Sequence, residues 1–283
     1  MPPCSVHCVV TSPPFWNQRN YLPDDHAAKD REIGQEPTVQ EYIDNLVAVF
    51  RQVSRVLMNN GTLWLNMGDA YADTKQKARA AAVKQGDLIG LPWKVALALQ
   101  TDGYFLRSEI LWSKPNPKPE GSVANRPTRG HEQLFLLTKR ARYYYDADAI
   151  REPITSTGGA CFGKQRHSTV GTGAQSRRLE SADGRNHPLG KNKRSVWTVP
   201  VYSFPGAHFA VFPPRLIEPC ILAGCPEGGL VLDPFSGAAT VGVVCQRLGR
   251  RFVGIELNPA YIRMSRQRLK AAKAKQRQLA QAA

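Results

Sequence analysis

No stretch of this sequence approaches the roughly 20 consecutive apolar residues that a membrane span requires, so a spanning chain is not expected. No CxxC pair occurs. The six cysteines (Cys4, Cys8, Cys161, Cys220, Cys225 and Cys245) are scattered through 283 residues rather than crowded into a small chain. That distribution argues against both a zinc site and a disulfide framework. The opening residues, Met1 to His7, contain no basic segment followed by an apolar one and no cleavage site, so no export signal is read there. A reduced, cytoplasmic protein is expected. Acid is scarce as well: 38 Lys and Arg face 23 Asp and Glu, a formal net charge of +15. Neutralising phosphates releases condensed counterions and supplies affinity without sequence preference, so this excess points to a polyanion. Charge alone does not separate DNA, RNA and an anionic membrane; the lack of an apolar span favours nucleic acid.

The length suits one large α/β domain with an insertion. Val6 to Val10 is a short apolar run that stops at Thr11-Ser12-Pro13-Pro14, as a buried strand does when it empties into a loop. Apolar residues at Tyr42, Leu46, Val49, Phe50, Val53 and Leu57 keep helical spacing, and Asn59-Asn60-Gly61 reads as the stop. Thr62 to Met67 reads as a strand, Pro92 to Gln100 as a helix, Tyr104 to Trp112 and Gln133 to Thr138 as strands. Gly229 to Leu232 (strand), Val241 to Leu248 (helix) and Arg251 to Ile255 (strand) form a βαβ unit, followed by a basic helix over 260–283. The alternation predicts a doubly wound sheet. From about 151 the chain turns rich in Gly, Ser, Arg and Lys without periodicity, which divides it into 1–150, an irregular insertion at 151–196, and 197–283.

Three local constellations carry chemistry. Asp233-Pro234-Phe235-Ser236-Gly237-Ala238-Ala239-Thr240 is a tight strand-to-helix turn whose small residues let the backbone approach a ligand at a helix N-terminus. A turn of this kind also serves as a plain connector. Glu256 ends the next strand about 20 residues on, where a carboxylate can accept from both ribose hydroxyls of an adenosine-containing cofactor. Alone it is equally a surface or capping acid; the pair is the stronger signal. Thr11-Ser12-Pro13-Pro14-Phe15-Trp16 places two prolines after a buried strand, holding a hydroxyl, a carbonyl and an aromatic face together. An exocyclic amine is a poor nucleophile because its lone pair is delocalised. Two acceptors on its N–H bonds draw it toward a tetrahedral, reactive geometry.

Together these motifs resemble the circularly permuted β class of DNA amino-methyltransferases, which act on cytosine N4 or adenine N6. Their catalytic loop reads Asp, Asn or Ser, then Pro-Pro and an aromatic, and here it precedes the cofactor loop. The resemblance covers nearly the whole chain, including Arg107 to Pro117 and His208 to Pro214. It implies a Rossmann-like α/β methyltransferase fold, with a mostly parallel sheet and helices on both faces. The implied cofactor is S-adenosylmethionine, with Thr11, Phe209, Phe212, Pro213, Asp233, Pro234, Phe235, Gly237, Thr240 and Asn258 at its site and Glu256 on its ribose. Ser12 and the Pro13 carbonyl are implied as acceptors for the target amine, with Pro14 fixing the loop and Phe15 stacking on the flipped base. Neither a metal nor a covalent enzyme intermediate is implied. The 151–196 insertion takes the place of the target-recognition region, so Lys164, Arg166, Arg177, Arg178, Lys191, Lys193 and Arg194 become candidates for contact with double-stranded DNA, joined by Arg126 and Arg129 beside His131 and Glu132.

Two departures from the family pattern stand out. Ala239 replaces the second glycine of the cofactor loop, which is expected to crowd the backbone and weaken cofactor affinity. An acidic motif often found upstream of the catalytic strand is not seen, and a homodimer in which a neighbour covers that end is expected. The alternatives left open are an RNA or protein-glutamine methyltransferase, because related loops serve amide nitrogens, and a DNA-binding protein that has lost catalysis.

Overall fold

The computed structural model describes residues 1–117, 119, 123, 125–154, 187–201 and 212–282. The run after Ser5 forms β1 (Val6–Thr11), almost wholly buried along its length. It is followed through the chain by β2 (Leu57–Met67), β3 (Phe105–Ser113), β4 (His131–Thr138), β5 (Val196–Thr198), β6 (Leu230–Asp233) and β7 (Arg251–Gly254). Among the described residues these make one sheet of order β5-β3-β4-β2-β1-β6-β7. Every pairing is parallel except those of β4, which runs antiparallel between β2 and β3. The sheet is therefore mostly parallel, as the alternating pattern predicts.

Successive strand residues face opposite sides, so a sheet apolar at consecutive positions needs a cover on both. On one side Val9, Leu63, Leu65, Phe135, Leu137 and Leu232 pack against α1 (Val39–Val56) and α3 (Leu91–Thr101), reached through the short α2 (Lys75–Ala81). On the other, Cys8, Val10, Trp64, Leu134, Leu136 and Val231 pack against α4 (Pro214–Gly224) and α5 (Thr240–Arg247). A final helix, α6 (Pro259–Ala282), packs beside α5, its Leu269 reaching Gly242. Each fully buried Leu, Val or Phe contributes about 1.5–3 kcal/mol, so the two cores rather than helix propensity hold these short elements in place.

One element boundary corrects the sequence reading. Helical spacing runs on through Leu57, with Asn59-Asn60-Gly61 as the stop, but α1 ends at Val56 and Leu57 opens β2. Leu57 pairs with Val6 and Thr62 with Cys8, so the segment between them is taken up as an irregularity in the strand. Gly61 sits where a Cβ would stand 2.9 Å from the His7 carbonyl oxygen, which explains glycine there without a helix end. The helix α4 was not expected from the sequence, because its prolines at 214 and 219 masked the apolar face formed by Leu216, Ile217, Cys220 and Ile221. The 196/197 division also falls inside β5, which pairs with β3 at the far edge of the sheet. Among the described residues no helix is long and apolar enough to cross a membrane, and no three His, Cys, Asp or Glu side chains group as a metal site would need.

Candidate active site

The two motif loops leave the C-terminal ends of adjacent parallel strands, which is where an open α/β sheet presents a crevice. The last residues of those strands are bonded to each other: Thr11 Oγ1 donates to Asp233 Oδ1 at 2.7 Å, both side chains being buried. The Phe235 N–H donates to the same oxygen at 3.1 Å. Burial pushes the Asp233 carboxyl up to about 7, against the hydrogen bonds from Thr11 and Phe235 that favour its charged form. Thus the join between the two motif loops is itself a titratable group.

On the cofactor side, Gly237 is at φ +50°, with nothing within 4 Å of where a Cβ would stand. Its N–H donates to Glu256 Oε2 at 2.7 Å, and the Asn258 N–H donates to Glu256 Oε1 at 2.8 Å. Each carboxylate oxygen keeps lone-pair capacity for a hydroxyl, because a carboxylate offers about four acceptor sites. Asn258 is fixed in turn by donating from Nδ2 to the Tyr21 carbonyl at 2.7 Å. Ala239 caps α5 at φ +57°, a conformation that favours glycine. The second glycine of the family pattern is thus replaced where its freedom is used. Thr240 is buried, and its hydroxyl accepts from Arg268 of α6 at 3.3 Å.

On the catalytic side the chain turns Pro14 inward, where its carbonyl accepts from the Tyr42 hydroxyl at 2.8 Å. Burial holds the Tyr42 phenol far above its ordinary range, so it stays protonated and remains a donor. Buried Trp16 donates to the Glu36 carbonyl at 2.9 Å, and Gly34, at φ +101°, leaves only 3.1 Å between a would-be Cβ and Pro14 Cβ. The Phe15 ring lies over Gly68 so closely that a Cβ there would stand 2.6 Å from it. With the loop clamped this way, the Ser12 hydroxyl and the Pro13 carbonyl have no hydrogen-bond partner among the described residues.

One cavity of about 680 Å³ is lined by both loops, by Ser12 to Phe15 and by Asp233 to Ala238 with Ile255 to Asn258. Phe212 and Thr240 also line it, whereas Thr11 and Pro213 do not. The sequence reading missed a second, polar wall. Just past β2, Gly68 lies against Phe15, and Asp69 accepts from the Gly90 and Leu91 N–H groups at the start of α3 (3.1 and 2.8 Å). Arg129 stands 4.0 Å from Asp69 and donates to Gln133 at 3.4 Å, so this candidate DNA contact faces the cavity. Beside it Lys114 pairs with Glu132, whose other oxygen accepts from Asn66 at 3.1 Å. Tyr21, Tyr261 and Met264 also line the cavity. The signal for Lys114 was its place in Lys114-Pro115-Asn116-Pro117 at a strand end. Asn116 locks that loop by bonding both ways with the Val201 backbone, at 2.8 and 3.2 Å.

Other charged candidates sit elsewhere. The Arg126 guanidinium lies 3.4 Å from the centroid of the Tyr71 ring. Lys193 and Arg194 both reach Glu152, at 3.4 and 3.2 Å, and Lys191 pairs with Glu152 through the backbone. Burial raises the Glu152 carboxyl, but the hydrogen bonds and charges of Arg194 and Lys193 outweigh it and hold the group below its ordinary range. Phe209, Lys164, Arg166, Arg177 and Arg178 lie outside the described residues.

A profile of the DNA methylase family matches residues 6–267, spanning both loops and the sheet between them. The chain belongs to the DNA methylase family. Among curated proteins this methylase is 44% identical to the type II methyltransferase M.Cfr9I of Citrobacter freundii over 95% of this chain and 83% of that protein. It is 43% identical to the type II methyltransferase M.SmaI of Serratia marcescens over 93% and 83%. In fold the methylase resembles the cytosine-N4-specific PvuII DNA methyltransferase, with a TM-score of 0.65 at 20% identity over 95% of this chain and 80% of that one. It also resembles a putative DNA modification methylase of Thermus thermophilus solved in complex with S-adenosyl-L-methionine, with a TM-score of 0.59 at 24% identity over 96% and 88%. Its architecture is the α/β Rossmann-like fold of these DNA methyltransferases.

Proposed function

We propose that this methylase transfers a methyl group from S-adenosylmethionine to the exocyclic amino nitrogen of a cytosine or adenine flipped out of double-stranded DNA. The observation that carries this reading is the pair of unclaimed acceptors, the Ser12 hydroxyl and the Pro13 carbonyl, sharing one cavity with the Glu256 and Gly237 cradle. The cradle fits the cofactor: Glu256 is already oriented by two backbone donors and can accept from ribose hydroxyls, beside an open Gly237. When bound, the cofactor supplies an electrophilic methyl on a cationic sulfur. Ser12 and Pro13 accept the two N–H bonds of the amine and turn its lone pair out of conjugation. Phe15, backed by Gly68, provides the face against which the base stacks. Methylation would leave one excess proton on the nitrogen, which Ser12 Oγ and the Pro13 carbonyl would hold by hydrogen bonding until it is lost to solvent.

Serine at the first position of the catalytic loop is the choice the family associates with cytosine, although either acceptor can hold either amine. The 151–196 insertion is the proposed target-recognition region, with Lys191, Lys193 and Arg194 at its end contributing phosphate contacts. The proposed assembly is a homodimer without a metal; a monomeric mass by light scattering, free and with DNA, would remove that part. The deciding experiment is to incubate the protein with unmethylated DNA and S-adenosylmethionine, digest to nucleosides and analyse by mass spectrometry. N4-methylcytosine or N6-methyladenine is the expected product and names the base. If no methylated nucleoside forms although cofactor and DNA each bind, the substrate is RNA or protein, or the chain binds DNA without catalysis. Phe15→Ala is expected to reduce the 2-aminopurine fluorescence that reports flipping, since stacking of one base is worth about 1–3 kcal/mol.

A further inference from the structure

The polar wall of the cavity holds a group that the transfer described above does not use. Lys114 follows β3, and Glu132 lies on the neighbouring β4. Their side chains are only 16% and 18% exposed, and both line the cavity that contains Ser12 and Phe15. Removing an ion pair from water costs free energy that the pair itself rarely recovers, so its place in a cavity wall calls for a reason. Both Glu132 oxygens are engaged, one by Lys114 and one by Asn66. Lys114 differs. An ammonium has three N–H donors. Glu132 takes one, and the Trp112 ring, 4.4 Å away, balances charge without accepting a conventional hydrogen bond. No other acceptor meets Lys114 among the described residues.

The backbone around it is fixed as well. The Lys114 N–H donates to the Gly130 carbonyl at 2.7 Å, and the Asn116 clamp on Val201 holds the next turn. The wall therefore presents a preorganised cation with spare donors in the same cavity as the face on which the base is proposed to stack.

Cytosine and adenine share one pattern: beside the carbon that carries the amine stands a ring nitrogen with a free lone pair, N3 in cytosine and N1 in adenine. Guanine and thymine carry an N–H at the equivalent ring position and would meet a donor with a donor. We infer that Lys114, held by Glu132 and Trp112, donates a hydrogen bond to this ring nitrogen of the flipped base and so determines which bases the cavity retains. The inference rests on the base-flipping reading above. Donation to the ring withdraws electron density from the amine, and the paired Glu132 carboxylate limits that loss by keeping the wall neutral. Lys114 thus acts on base retention and KM more than on kcat.

The test is a chemical double cycle. Wild type and Lys114→Met are compared on duplexes whose target base is unmodified or replaced by its deaza analogue: 3-deazacytosine or 1-deazaadenine, according to the base methylated. A hydrogen bond from a charged donor predicts a loss of about tenfold to a hundredfold in kcat/KM for wild type on the analogue, carried mainly by KM. Lys114→Met should lose less than about threefold on the same replacement, because its partner is already gone. Lys114→Met combined with Glu132→Gln, which leaves no orphan carboxylate, should behave the same way and serves if the single variant fails to fold. Equal losses in wild type and variants overturn the assignment, as does a wild type indifferent to the analogue. Coupling that vanishes in Arg129→Met instead of Lys114→Met also overturns it, by transferring the role to Arg129. A wild type that methylates no unmodified duplex refutes the base-flipping reading itself, an outcome distinct from the others.

Discussion

The two loops that line the cavity are held by opposite means. The cofactor loop is organised by its own acids: Glu256 ties down Gly237 and Asn258 through backbone donors, and Asp233 gathers Thr11 and Phe235. The catalytic loop contains no acid. Prolines, the Tyr42 hydroxyl on the Pro14 carbonyl and the close approach of Gly34 and Gly68 shape it, and its outward acceptors are left without partners. A surface that binds a ligand throughout the reaction can share its polar groups with the protein. On the proposed transfer, a surface that works only while a nitrogen changes geometry must keep them free.

Substitutions in the two loops should therefore fail differently. The largest effect is expected from Ser12→Ala: kcat falls roughly a hundredfold, as for other fixed polar groups at a reacting centre, while cofactor affinity is unchanged. Equal losses in turnover and cofactor binding, measured by steady-state kinetics and calorimetry, would erase the contrast between the loops.

Asp233 probes the junction. Its carboxyl titrates near 4 when unfolded and at about 7 in the fold, so the folded state holds a proton that the unfolded state loses between those values. Its contribution to stability is full below about pH 4, falls as pH rises through this window and is lost above 7, a span on the order of 4 kcal/mol. Asp233→Asn cannot ionise. The variant should be more stable than wild type at pH 8 and lose that advantage toward pH 4, as read from urea midpoints at the two values; a difference independent of pH would contradict the raised carboxyl.

Glu256→Gln sharpens the comparison from the other side. It keeps one acceptor but loses charge, and S-adenosylmethionine affinity should weaken about tenfold with kcat at saturation little altered. A large fall in kcat with unchanged affinity would place Glu256 in the chemistry rather than in binding. The smallest effect is expected from Ala239→Gly. The left-handed conformation at φ +57° costs alanine about 1 kcal/mol, so glycine should raise stability by up to that amount and tighten cofactor binding slightly. A melting temperature that falls would show that packing of the buried methyl outweighs the backbone strain.

Both loops were legible in the sequence because their signals are local. A proline pair ending an apolar run, and a small-residue turn followed by an acid at the next strand end, restrict the backbone wherever the chain goes. The fates of their neighbours were less legible. Asn59-Asn60-Gly61 carries a helix-stop pattern, yet pairing of Leu57 with Val6 drew that segment into β2. Arg129, read as a candidate DNA contact, faces the cavity beside Asp69 because antiparallel β4 carries its end there. Lys114 and Glu132 lie 18 positions apart and meet only because β3 and β4 are neighbours.

The sequence alone determined the order of motifs, the alternation that makes a mostly parallel sheet and the residue types at each strand end, since each depends on backbone restriction and hydrophobic period within a few residues. Tertiary structure alone decided which side chains share the cavity. Strand order and the antiparallel insertion of β4 arise from pairings between distant segments, and no local propensity records which segments those are.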